Sequence, residues 1–136
     1  MGIEAGAKRR PARPARWTAY VLGAVAIWLV PWGISLSVRL PAHHLDRNWN
    51  VAWTGYDFAI AALLAATALA TLRPRPWLPL VATAAATLLI ADAWFDVATS
   101  GDRGQLTYAL GLALLGELPI ALLCLWVARG ASARYR

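Results

Sequence analysis

Residues 76–102 read PWLPLVATAAATLLIADAWFDVATSGD, 27 positions without a Lys or Arg. A helix rises about 1.5 Å per residue, and about 20 residues cross a hydrocarbon core of about 30 Å. A cation-free run of this length fits one membrane crossing with little left for loops. The same test, walked from each cation to the next, isolates three more runs: 17–38, 48–72 and 104–128, of 22, 25 and 25 residues. Lys and Arg are the residues a bilayer interior tolerates least, so these gaps mark crossings. Composition agrees, since a chain of 136 residues that is 60% hydrophobic and 15% charged has too few charges to clothe a water-soluble globule. The expectation is an all-α, polytopic membrane protein. Its transmembrane domain (17–129) forms one antiparallel four-helix bundle, with helices at about 17–38, 50–72, 77–99 and 105–128.

A net charge of +6 and a pI near 10.5 raise the question of nucleic acid, and the placement of the cations answers it. Lys8, Arg9, Arg10, Arg13 and Arg16 precede the first run, Arg73 and Arg75 separate the second from the third, and Arg129, Arg134 and Arg136 follow the fourth. The opposite side holds only Arg39, Arg47 and Arg103. The basic excess is thus a topology signal, and the expected partner is the lipid bilayer of the cell (inner or plasma) membrane, not nucleic acid. The positive-inside rule puts both termini in the cytoplasm and the 39–50 and 99–104 loops outside. Residues 1–16 read as a flexible basic arm and 130–136 as a short tail. The first run is too long for a signal-peptide core and no A-x-A site follows it, so it reads as an anchor. Cys124 is the single cysteine, which leaves no internal disulfide to form.

Within this frame, Pro31, flanked by Trp28 and Trp32, predicts a kink with freed carbonyls in helix 1. The turn RPRPWLP is short and proline-rich, making helices 2 and 3 antiparallel neighbours. Alanines at 61, 65, 82, 86, 109 and 113 have the small-xxx-small spacing that lets helices approach closely in lipid.

Against this apolar background the acids stand out. Asp92 and Asp96 are four apart and share a helix face. The topology sets Asp57 about seven residues inside helix 2 and Glu117 near the bilayer midplane, so all four carboxyls converge in the outer half of the bundle. An acid at a helix centre costs about 2.5–3.5 kcal/mol on insertion scales, and no Lys, Arg or His lies in any span to offset it. The four are therefore expected to face inward as a proton-handling or ligand-binding site. Asp92, Asp96 and Glu117 are candidate general acids if there is chemistry. The competing reading is a clasp in which the acids bond Trp53, Trp94, Thr54, Thr83 or freed carbonyls and lock the helices.

Trp17, Trp49, Trp77 and Trp126 fall near the span edges, where indoles anchor helices. Trp28, Trp32, Trp53 and Trp94 fall inside spans beside the acids and are candidates to wall a pocket or face a cation. Arg39, His43 and His44 form an outer rim able to meet the acids. His43, His44 and Asp46 lack a third or fourth ligand of useful spacing, so no metal is assigned, and no cofactor is implied.

LVPWGISLSVRLP, WTGYDFAI, DAWFDVATS and GELPIALLCLW together resemble a family of small four-helix membrane proteins of actinobacteria, with DAWFD and GELP the most specific segments. The resemblance covers nearly the whole chain after the arm. It implies the fold, the topology and a shared polar core of Asp57, Asp92, Asp96 and Glu117, but no reaction. Three functional readings follow. The first is proton-coupled binding or transport of a lipophilic or cationic small molecule. The second is acid-catalysed isomerisation or cyclisation of a lipophilic substrate. In the third the protein is a non-catalytic subunit that meets its own copies or a membrane partner.

Overall fold

The computed structural model describes residues 16–39 and 48–133. The arm up to residue 15, the loop 40–47 with His43, His44, Asp46 and Arg47, and residues 134–136 lie outside the described residues. The described chain is helical: α1 (Arg16–Arg39), α2 (Trp49–Leu72), α3 (Leu78–Ala98), α4 (Arg103–Leu112) and α5 (Leu118–Ser132), with a π-helical turn, Ala113–Glu117, joining α4 to α5. The last three segments form one continuous helix. Four helices are thus long and apolar enough to cross a membrane, as the cation-free runs require.

Local chemistry sets the helix ends. Asn48 precedes α2 with φ 67°, a left-handed conformation that Asn tolerates better than most residues, and its carbonyl accepts from the N–H groups of Val51 and Ala52. At the α2–α3 turn Pro74 and Pro76 have no N–H to offer. The Arg73 N–H closes α2 on the Leu69 carbonyl and the Leu78 N–H opens α3 on that of Arg75. Asp102 caps α4 through Oδ1, which accepts from the Gln105 N–H at 2.9 Å, while Gln105 Oε1 accepts from the Gly101 N–H at 3.0 Å. This reciprocal pair is a variant of the capping box. Pro31 is carried inside α1 without interrupting it.

The helices are arranged as successive neighbours: α1 packs on α2, α2 on α3, and α3 on α5. Lipid tails are as apolar as leucine, so close packing, not the hydrophobic effect, must hold such helices together. The buried residues suit that demand. Ala19, Leu22 and Ala26 of α1 meet Ile60, Leu64 and Ala68 of α2, then Ala85, Ala86 and Leu89 of α3 and Ala121 and Cys124 of α5. A second cluster beside the α2–α3 turn joins Ala70, Leu78 and Ala82 to Val127, Ala128 and Ala131. Of the small-xxx-small positions, Ala61, Ala82, Ala86, Ala109 and Ala113 are buried. Four threonine hydroxyls are satisfied within their own helices: Thr67, Thr71, Thr83 and Thr87 each donate to the carbonyl four residues back, a common arrangement for Ser and Thr inside a helix.

Candidate functional site

At the end opposite the α2–α3 turn, the four helices surround a cavity of about 840 Å³. Each contributes one face at three-and-four spacing. From α1 come Val25, Trp28, Leu29 and Trp32; from α2, Trp49, Trp53, Asp57 and Ile60; from α3, Leu89, Asp92 and Asp96; and from the last helix, Gln105, Tyr108 and Leu112, then Leu115, Gly116, Glu117 and Ile120. All four intramembrane acids reach one space, as their depths along the chain predicted.

Glu117 owes its position to a local distortion. Pro119 has no N–H, and in a regular helix its ring would press on the carbonyl four residues back. The preceding turn widens instead, and the Leu118 N–H donates to the Ala113 carbonyl, five residues earlier. Such π turns occur mostly as single insertions in α-helices, often at functional sites. Here the wider turn ends on Glu117.

The electrostatics are one-sided. Among the described residues, no Lys, Arg or His lines the cavity, and the charges of Asp57, Asp92, Asp96 and Glu117 are close enough to interact with one another. Asp57 is 5% exposed and Asp92 9%. Asp57 Oδ2 and Glu117 Oε2 are buried with no hydrogen-bond partner, as is Thr54 Oγ1. Buried polar atoms are normally satisfied, so each such exception asks for an explanation. The clasp reading does not supply one, because Thr54 bonds neither acid and the exposed Thr83 donates to the Pro79 carbonyl. Gly33 closes α1 over Asp57, where an added Cβ would stand 3.6 Å from that of the acid.

Tyr56 ties the site together from behind. Its hydroxyl donates to the Leu88 carbonyl of α3 at 2.8 Å, one turn before Asp92, and it feels the charges of Asp92, Asp57 and Glu117. Trp53 packs edge-on against Trp49, Tyr56 and Phe95 with centroid separations of 5.6, 6.2 and 6.4 Å, a geometry favoured by aromatic quadrupoles.

The other expected site residues divide. Trp32 and Trp53 line the cavity, as expected. Trp94 does not: it is 70% exposed, because a residue two positions from Asp92 and two from Asp96 lies on another face of α3. Arg39 ends α1 exposed and is not among the lining residues, and His43 and His44 lie outside the described residues. Trp49, expected at the membrane edge, lines the cavity, as its spacing of four from Trp53 and eight from Asp57 allows. Gln105, Tyr108 and Tyr56 are additions. The first two are visible in retrospect as a three-residue step on a polar helix start, while Tyr56 gives no signal in the sequence. Among the described residues, no group of His, Cys, Asp or Glu could hold a metal ion.

No known protein family, curated protein or solved structure matches the chain.

Proposed function

We propose that this membrane protein binds a lipophilic organic cation in the acidic cavity and exchanges it for a proton. The observation that carries the reading is Asp57, almost wholly buried and presenting an unpartnered carboxylate oxygen to a cavity that no Lys, Arg or His lines among the described residues. An incoming cation supplies the missing partner, and in a low-dielectric setting that attraction is much stronger than in water. The indoles of Trp28, Trp32, Trp49 and Trp53 add faces that attract cations. A cavity of about 840 Å³ falls within the range that holds drug-sized ligands. It is far larger than an inorganic ion needs.

A proton and an organic cation compete for the same carboxyls, so binding releases protons and weakens as pH falls. Purified protein in lipid nanodiscs, titrated with tetraphenylphosphonium in weak buffer containing a pH dye, tests this. The expected result is saturable binding with proton release, and an Asp57→Asn affinity about tenfold or more lower, equivalent to about 1.4 kcal/mol. Absence of binding, or binding indifferent to pH and to Asp57→Asn, would overturn the reading. The same proposal sets the protein in the cell membrane with both ends of the helical domain cytoplasmic, on the strength of the cation asymmetry. It also includes kinship with the small actinobacterial four-helix proteins. In support, DAWFD supplies Asp92 and Asp96, and GELP supplies Glu117 and the proline that shapes its turn.

A further inference from the structure

Two residues of the cavity wall are also among the most outward-facing of the chain. Trp28 and Leu115 line the cavity yet are 67% and 85% exposed. Trp28 lies midway along Arg16–Arg39, and Leu115 lies near the middle of Arg103–Ser132. At about 1.5 Å per residue, both are at the depth of the hydrocarbon, far from either headgroup layer. They stand on α1 and on the last helix, which are not successive neighbours in the packing order. Close backbone approaches join α1 to α2, α2 to α3 and α3 to α5, with no comparable seam between α1 and the last helix. Val25 and Leu29 of α1 and Leu112 and Ile120 of the last helix add apolar lining to the same cavity. Asp57, Asp92, Asp96 and Glu117 line the same cavity.

We infer that the cavity opens sideways into the bilayer between Trp28 and Leu115 and takes a single-chain amphiphilic amine. Its ammonium group sits among Asp57, Asp92, Asp96 and Glu117, and its alkyl tail lies out between α1 and the last helix. This deepens the organic-cation reading and rests on it. Charge complementarity selects the head, since among the described residues the walls present four carboxyls and no Lys, Arg or His. The apolar lining at mid-bilayer depth selects the tail, because a polar or doubly charged ligand would have to leave its far end in hydrocarbon.

The test compares decyltrimethylammonium with its bolaform relative, decane-1,10-bis(trimethylammonium), and with tetramethylammonium, all binding to wild-type protein in nanodiscs with proton release as readout. The single-headed amphiphile is expected to bind, and the bolaform at least about tenfold more weakly, a difference of about 1.4 kcal/mol or more. Equal binding of the two would place the tail in an aqueous mouth and overturn the lateral opening, leaving the cation site intact. Proton release by none of the three would instead defeat the cation reading itself. Independently of any ligand, Leu115→Cys can be spin-labelled selectively, since Cys124 is fully buried. A label accessible to oxygen and shielded from a water-soluble nickel chelate, with its mobility reduced by decyltrimethylammonium and not by tetramethylammonium, is the expected result. A label shielded from both relaxers would show the seam covered by a second protein surface and would overturn the proposal.

Discussion

Beside the α2–α3 turn, Ala70, Leu78, Ala82, Val127, Ala128 and Ala131 close the space between helices; at the other end the same helices part around four carboxyls and a wall of indoles. Both ends are made of helix faces at three-and-four spacing, so the difference is one of side chains. Small residues let backbones approach until dispersion holds them. Acids and large aromatics keep them apart and leave polar atoms without partners. The packed end is what makes the open end affordable, because a buried, unpartnered carboxylate persists only where the surrounding structure holds it in place.

This contrast can be broken or sharpened by substitution. The largest stability effect is expected in the cluster between the packed end and the cavity: Leu64→Ala removes a side chain with no exposed surface and should cost about 2 kcal/mol or more, read as a lowered midpoint of unfolding in detergent. Ala82→Leu, at a position equally buried, forces extra methyl groups between α3 and its neighbours and should cost about 1–3 kcal/mol by the same measurement. At the open end the sign reverses. Asp57→Asn removes a buried ionisable group whose Oδ2 has no partner among the described residues, and should raise stability by about 1 kcal/mol at a pH where the carboxyl is ionised while weakening cation binding. A loss of stability there would mean that Asp57 holds the bundle together, and the contrast would fail. Tyr56→Phe deletes one interhelical hydrogen bond and should cost about 0.6 kcal/mol, without moving the packed end. Trp94→Phe, off the cavity and exposed, should change neither stability nor binding beyond about 0.5 kcal/mol. An effect on binding would show that this indole reaches the ligand.

Much of this was legible in the residues. Cation-free runs fixed the four helices because the bilayer punishes Lys and Arg more than any other misplacement, and helix spacing with topology brought Asp57, Asp92, Asp96 and Glu117 together. The exposure of Trp94 was legible too, since positions two apart do not share a helix face; its closeness in sequence to the acids obscured that. The π turn was not. Pro119 announces a missing hydrogen bond, but a kink, a break and a widened turn all answer it, and choosing among them depends on how the last helix packs against α3. The Tyr56 bond to the Leu88 carbonyl depends likewise on the register between two helices, which no single segment encodes.

The length of the final crossing has its own consequence. The continuous helix Arg103–Ser132, at 30 residues the longest of the four candidate spans, extends about 45 Å at 1.5 Å per residue against a hydrocarbon layer of about 30 Å, so it has to lean, bend or thicken the layer around it. The π turn interrupts it near its middle, where a change of lean is most easily absorbed. A change in bilayer thickness is therefore expected to be taken up at the turn that ends on Glu117. Acyl-chain length becomes a control variable for this site, and the same protein should behave differently in short-chain and long-chain membranes.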